Sequence, residues 1–166
     1  TSCRQYALFM DGTGGCPTKN GIVAHISGEG GPSPNQKYCE SRACGATSLP
    51  LEEWHCIANV YNGSKIVALL NGTLDAAHPQ TQNNPFEYPN PPKFPTGGLS
   101  TPKNGTGANL ALGANFIHPG GGVGPRKMSN TFFGRIGGFA VADTAASSEE
   151  LKSTCQNGPP QARRPD

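Results

Sequence analysis

The sequence predicts an all-β domain, with two antiparallel sheets packed as a sandwich, long loops rich in proline and glycine, and one short helical turn near the C-terminus. The chain has 166 residues, the length of one domain. Its 23 Gly and 16 Pro separate short apolar segments at close intervals, which is typical of sandwiches. A net charge of only +2 argues against a disordered chain.

Short segments rich in β-branched and aromatic residues mark the candidate strands. They span residues 6–10, 21–26, 54–61, 65–70, 109–113 and 132–141. The strongest signal is a hairpin, because the third and fourth segments flank Asn62-Gly63-Ser64, a sequence prone to a type I′ turn. Near the C-terminus, Ser147 and Glu150 form a capping-box pattern that predicts a helical turn over residues 147–151.

Proline is concentrated in residues 76–107. Because proline donates no backbone hydrogen bond, we expect this region to form a long excursion from the sandwich rather than a strand. A cluster of glycines within residues 120–124 predicts a second long loop. We expect a sandwich over residues 1–155 and a flexible tail over residues 156–166.

The six cysteines form an even set without any C-x-x-C pair, which favours disulfides in an oxidising compartment over a zinc site. They are Cys3, Cys16, Cys39, Cys44, Cys56 and Cys155. The sequence leaves the pairing open. Our working hypothesis closes a small loop between Cys39 and Cys44, gives the strand-borne Cys56 the distant partner Cys155, and leaves Cys3 to pair with Cys16.

Three triplets match the acceptor motif for N-glycosylation, at Asn62, Asn71 and Asn104. Composition alone would give about two such triplets, so the count carries little weight. Each of these Asn residues is followed by Gly, however, and Asn-Gly steps favour tight turns that present the Asn to solvent. We therefore expect at least one of them to carry a glycan.

Three parts of the chain, in order, resemble the laminin G-like and concanavalin A-like jelly rolls. Residues 54–72, WHCIANVYNGSKIVALLNG, resemble the family's central hairpin. Residues 108–116 resemble a short strand that ends in a small-residue turn, and residues 132–151 resemble the closing strands and helical turn. The resemblance implies an antiparallel two-sheet jelly roll. On this architecture, we expect these side chains to pack between the sheets: Trp54, Ile57, Val67, Leu69, Phe133, Ile136 and Phe139.

The family usually has a further strand pair before the region that begins here at Thr1. The resemblance therefore implies that the first strands are missing from this chain or come from another segment, which would leave an unpaired sheet edge. In the related pentraxin branch, a cysteine at the position of Cys56 pairs with one on an earlier strand. That branch implies Cys3, rather than Cys155, as the partner of Cys56.

The resemblance also suggests where ligands would bind. Relatives often hold Ca²⁺ at a loop rim, for which Asp75 and Asp143 are the candidate ligands, although no cofactor is expected to be required. Aromatic residues beside Asn in the proline-rich excursion suit stacking on sugars, with the alternative that they anchor the loop onto the sandwich. These candidates are Phe86, Tyr88, Phe94 and Asn90.

The carboxylate spacing of glucanases of this fold does not occur in the sequence. We therefore expect a non-catalytic extracellular glycoprotein module, a structural or adhesive subunit of a secreted or cell-surface assembly. A carbohydrate-binding, lectin-like module with or without Ca²⁺ is the alternative, and a glycoside hydrolase of the glucanase branch is third. The expected partners are neighbouring subunits or an upstream fragment of the same precursor, and also glycans. Neither nucleic acid binding nor membrane insertion is expected, because the sequence has no clustered basic stripe and no long apolar run.

Overall fold

The computed structural model describes residues 6–11, 16–26, 41–76, 84–88, 112–117, 127–129 and 131–157. Within these residues the chain is mostly β, with antiparallel sheets and one short helix. The elements are β1 (Tyr6–Asp11), β2 (Gly21–Ile26), β3 (Ser41–Cys44), β4 (Ile57–Tyr61), β5 (Lys65–Leu70), β6 (Thr73–Leu74), β7 (Phe86–Glu87), β8 (Asn115–Ile117), β9 (Lys127–Ser129) and α1 (Ser148–Asn157).

The first sheet has the order β1-β2-β3, and both pairs are antiparallel. Every residue of the central strand β2 is buried, as its sequence GIVAHI, apolar except for one His, requires. The strands predicted over residues 6–10 and 21–26 are confirmed. Strand β3 was not predicted, because its four residues, SRAC, are too few and too polar to give a strand signal.

The second sheet is built on the predicted hairpin of β4 and β5, which is confirmed with Tyr61 opposite Ile66. The turn differs from the one expected. Gly63 has φ of 89° and is the one residue of the turn with positive φ, as in a type II′ turn, whereas type I′ needs two. The next turn, Asn71-Gly72 between β5 and β6, has both residues at positive φ and matches type I′.

The two sheets pack against each other, with β2 lying over β4 and β5. Their shared core consists of buried side chains from both sheets: Ala24, Ile26, Ala43, Ile66 and Ala68. The small alanines allow the strands to approach closely. One polar side chain also links the sheets, because Asn59 of β4 donates through Nδ2 to the carbonyl oxygens of Ala7 at 3.2 Å and His25 at 3.1 Å.

The closing part of the chain differs most from expectation. Of the strand predicted over residues 109–113, residues 109–111 lie outside the described residues, and Leu112 and Gly113 form a bend. The two-stranded ribbon of β8 and β9 was not predicted. The strand predicted over residues 132–141 is wrong, since this segment pairs with no strand among the described residues and every residue in it is exposed.

The predicted core is therefore correct for the hairpin of β4 and β5 and wrong for the closing segment, residues 132–141. Leu69 is buried, while Ile57 and Val67 are half-buried. Four residues expected in the core are exposed: Trp54, Phe133, Ile136 and Phe139. Three of them belong to residues 132–141, which join neither of the two packed sheets in the described part of the chain, and Trp54 lies before the first residue of β4.

The C-terminal helix begins as the sequence predicted. Ser147 Oγ accepts a hydrogen bond from Glu150 N at 3.2 Å, and Glu150 Oε2 accepts one from Ser147 N at 2.7 Å, which completes the capping box. These bonds to Ser147 lower the pKa of the Glu150 carboxyl. The helix, α1, has ten residues and is longer than the turn expected over residues 147–151. No helix in the described ranges has the length and apolar character needed to cross a membrane.

The burial pattern makes a direct prediction about stability. Ile66→Ala should lower the free energy of unfolding by about 2–5 kcal/mol, because it opens a cavity in the shared core. Phe139→Ala should change it by less than about 1 kcal/mol, because the ring is half exposed. Guanidinium unfolding with the disulfides intact measures both. Equal losses at the two positions would place Phe139 in the core and contradict the architecture described.

Candidate functional site

The side chain of Asn84 completes the hydrogen bonding of the second sheet. Along one edge of β5, Lys65 and Ile66 pair with β7, and Leu69 and Leu70 pair with β6. Between these two short strands, Asn84 Oδ1 accepts from Ala68 N at 3.0 Å and Asn84 Nδ2 donates to Ala68 O at 2.9 Å. A side-chain amide thus takes the place of a strand residue in the ladder, and it is fully buried.

Asp75 connects this arrangement to the first sheet. Its carbonyl oxygen accepts from Asn84 Nδ2 at 2.8 Å and from Ala46 N at 3.1 Å. Its carboxylate Oδ1 accepts from Thr47 Oγ1 at 2.7 Å and from Thr47 N at 3.1 Å. Gly45 lies so close that any side chain there would collide with the carboxylate. Asp75 therefore ties the end of β6 to the loop that follows β3.

These contacts bear on the two residues proposed as calcium ligands. The buried Asp75 carboxylate accepts hydrogen bonds from the Thr47 N–H and O–H groups. These bonds use the carboxylate oxygens that a cation would have to bind. Asp143 is exposed, in the segment before α1. Among the residues that the structure describes, no group of three or more His, Cys, Asp or Glu side chains is placed to hold a metal ion.

The described aromatic residues of the proline-rich excursion lie against the sandwich. Phe86 and Tyr88 pack against the shared core. Tyr61 Oη donates to Tyr88 O at 3.1 Å, and the two tyrosine rings are 6.1 Å apart. Burial and the neighbouring Tyr88 raise the pKa of Tyr61. Phe86 and Tyr88 thus anchor the loop, the alternative that the sequence left open.

The other two ligand candidates, Phe94 and Asn90, lie outside the described residues.

Two disulfides are described. Cys56 pairs with Cys155 across 99 residues, with a Cα–Cα distance of 5.5 Å, as the working hypothesis predicted. The pairing of Cys56 with Cys3 implied by the pentraxin resemblance is wrong. The predicted pairs Cys3–Cys16 and Cys39–Cys44 are also wrong, because Cys16 pairs with Cys44 at a Cα–Cα distance of 5.7 Å.

The register of β2 and β3 explains why Cys16 pairs with Cys44. Cys44 lies opposite Val23 in the sheet, and Cys16, just before β2, packs against both of these residues in a buried cluster. The Cys39–Cys44 pair was predicted because the two residues are close in sequence. Cys44 instead ends the extended strand β3, whose register against β2 brings it to Cys16. Cys3 and Cys39 themselves lie outside the described residues.

The glycosylation motifs have different environments. Asn62 and Asn71 both lie in hairpin turns and are exposed, as predicted. Asn104 is outside the described part of the chain.

Residues 131–141 form a segment, here called the exposed segment, in which every residue is exposed. Its large apolar side chains face solvent, and Phe133 is 93% exposed. Trp54, 68% exposed, lies beside this segment, because a Cβ atom added at Gly137 would be 3.1 Å from the Trp54 ring. Trp54, Phe133, Ile136 and Phe139 were predicted to lie in the core. The glycines at positions 134, 137 and 138 were the available signal, since each weakens a strand.

No protein-family model matches the chain, and no curated protein matches it. Among solved structures, the chain is similar to an S-layer domain-containing protein (residues 221–444) from Clostridium thermocellum, with 18% sequence identity and a TM-score of 0.41. The match covers 93% of this chain and 64% of that chain, so this chain spans just under two thirds of the matched structure.

The role of Asn84 can be tested by substitution. Asn84→Ala should lower the free energy of unfolding by about 1–3 kcal/mol or more, because the buried Ala68 N–H loses its acceptor. As the matched control, Asn157→Ala at the exposed end of α1 should change stability by less than about 0.5 kcal/mol. Chemical unfolding of both variants gives the comparison. A loss at Asn84 no larger than that at Asn157 would show that the amide does not complete the ladder.

Proposed function

We propose that this chain is a non-catalytic structural or adhesive module of an extracellular assembly, and that its exposed segment binds an extended strand of a neighbouring protein subunit. The observation that carries the proposal is the solvent exposure of large apolar side chains along residues 131–141. The jelly-roll relationship inferred from the sequence belongs to the same proposal, in which this segment corresponds to the closing strands of the family.

The extracellular placement is supported by the disulfides. Cys16–Cys44 joins the segment before β2 to β3, and Cys56–Cys155 joins the residue before β4 to α1. Structural disulfides of this kind form and persist in oxidising compartments and are rare in cytosolic proteins. Because each bridge connects segments distant in sequence, both constrain the unfolded chain, as is usual in secreted domains with small cores.

The energetics of the exposed segment favour a protein partner. Burying one large apolar side chain contributes about 1.5–3 kcal/mol, and the exposed segment offers several. Exposed apolar patches on folded domains commonly mark protein interaction sites. A partner that covered Phe133 and Phe139 would therefore gain substantial affinity from these two rings.

The backbone of the exposed segment suggests the form of that partner. Among the described residues, its backbone makes one hydrogen bond, from Phe132 N to Gly113 O at 2.7 Å. Its other N–H and C=O groups have no backbone partner within the described ranges and can bond an added strand, the mode in which main-chain bonds give affinity and alternate side chains give specificity. The occupant that fits is an extended, apolar segment of a neighbouring subunit.

The described carboxylates with close partners serve structural roles, which supports the non-catalytic part of the proposal. Asp75 is held by Thr47, and Glu150 caps α1. Glu87 forms an ion pair with Lys65 at 2.8 Å, next to the pairing of β5 and β7. Each of these carboxylates is bound to a donor group of the fold.

One observation favours the second candidate function, carbohydrate binding. Trp54 is largely exposed and lies beside Gly137, a residue without a side chain to cover the ring. Exposed, flat aromatic rings of this kind stack on sugar faces. In this alternative the sugar platform is Trp54, rather than the aromatic residues of the proline-rich excursion.

Site-specific photocrosslinking in cells that make the protein tests the proposal. A photoreactive residue at position 133 or 139 should crosslink to another polypeptide, and mapping should place the crosslink in an extended segment of that partner. The matched control is the same residue at Asn157, which is exposed on α1. Equal crosslinking from position 157, or none from 133 and 139, would contradict the proposed surface.

The Trp54→Ala substitution, measured by crosslinking and by glycan retention, separates the two candidate functions. Trp54→Ala should leave crosslinking from position 133 in place if a strand is the partner, because the backbone bonds and the Phe rings remain. Retention of the protein on immobilised glycans, abolished by Trp54→Ala, would instead support carbohydrate binding.

A further inference from the structure

We propose that Asn62 is the N-glycan acceptor on the second sheet, and that Asn71, nine residues later and in the same motif, is closed to glycosylation by helix α1. The proposal uses the extracellular placement from the proposed function and is independent of the partner surface. The two motifs have the same middle residue and both lie in hairpin turns, and they differ in the hydroxyl residue, Ser64 against Thr73, and in their surroundings.

At Asn62 the hydrogen bonds converge on the side-chain oxygen. Asn62 Oδ1 accepts from Ser64 N at 3.0 Å, from Ser64 Oγ at 3.0 Å and from Lys65 N at 2.9 Å. The Ser64 hydroxyl is the hydroxyl of the acceptor motif itself, and here it is directed at the acceptor amide. None of the hydrogen bonds described for Asn62 uses Nδ2, the atom to which a glycan attaches.

The space around this turn is open. Gly63 has no atom within 4 Å of the position where its Cβ would lie, so no other part of the described chain covers the motif. Asn62 and Ser64 are both exposed. A transferase can therefore approach the turn at the tip of the hairpin without displacing any described part of the fold.

At Asn71 the same three positions are engaged with the protein. Asn71 Oδ1 accepts from Cys56 N at 3.1 Å, and the Thr73 hydroxyl donates to Leu70 O at 2.9 Å rather than to the acceptor amide. Gly72 is buried, and its Cβ position is 2.6 Å from the backbone nitrogen of Lys152 in α1. The middle of this motif is thus covered by helix backbone.

The Cys56–Cys155 disulfide holds α1 in place over the Asn71-Gly72 turn. Cys56 lies beside Asn71 through two hydrogen bonds, one of them from Asn71 N to Cys56 O at 2.7 Å, and Cys155 lies in α1 three residues after Lys152. Closing the bridge therefore fixes the helix against the Asn71-Gly72 turn. The Asn62 turn, at the other end of β5, is outside its reach.

The chemistry is a balanced group transfer. Nδ2 of Asn62 forms a bond to the anomeric carbon of a saccharide carried on a lipid pyrophosphate, and the bond from that carbon to the phosphate oxygen breaks. The lipid pyrophosphate leaves with the bonding electron pair, and one Nδ2 proton passes to a base of the transferase. Three donors on Oδ1 favour this step because they stabilise negative charge on that oxygen as the nitrogen loses its proton.

The test is site mapping on the full chain secreted from a eukaryotic host. Cleavage after Lys65 separates the two motifs into different tryptic peptides. The peptide with Asn62 should carry a glycan mass, and the peptide with Asn71 should carry none. Because the host supplies export, absence of glycan at Asn62 would overturn this inference and leave the proposed partner surface untouched.

Matched variants sharpen the test. Ser64→Ala should remove the glycan mass at Asn62, and its counterpart Thr73→Ala should leave the glycan content unchanged. Opening the bridge with Cys56→Ser and Cys155→Ser together should add a glycan at Asn71.

If that double variant is not secreted, reductant given to cells making the wild-type chain provides the same comparison on intracellular protein. A glycan at Asn71 in the wild-type, disulfide-bonded chain would overturn the inference. An Asn71 that stays unmodified when the bridge is open would also overturn it.

Discussion

The side-chain amide of Asn84 is the interaction on which the rest of the described structure depends. By bonding both backbone groups of Ala68 it fills the gap between β6 and β7, and by bonding Asp75 O it joins that edge to the loop after β3. A buried amide with every bond made rigidifies a core, whereas one left unpaired is costly. The return of the proline-rich excursion to the sheet, with Phe86 packed on the core, rests on this residue.

Local signals in the sequence were sufficient for the local elements. The β4–β5 hairpin and the capping box of α1 depend on residues within a few positions of one another, and both were predicted. The features that were missed are long-range. Nothing near Asn84 in the sequence indicates that its amide will meet Ala68, and nothing near Cys16 indicates that the register of β2 and β3 will bring it to Cys44.

The exposed segment is a second case in which local sequence did not indicate the long-range packing. Residues 132–141 have the apolar character of a closing strand, and the sequence therefore placed them in the core. Burial needs a facing surface as well as apolar side chains, and in the described part of the chain neither packed sheet offers one. The same property that made the prediction wrong, a series of large apolar side chains, stays exposed here and suits this segment to bind an added strand.

The central claim is that the two packed sheets provide the stability, whereas the backbone of the exposed segment is unpaired until a partner binds. Amide hydrogen exchange on the isolated, disulfide-bonded chain tests this claim. Amides of β2 and β5 should exchange through global unfolding and be the most strongly protected, because these strands form the centres of the two sheets. Amides of residues 133–141 should exchange orders of magnitude faster. Protection of that segment equal to that of β5 in a monomer would mean that its backbone is already paired, and it would contradict the account.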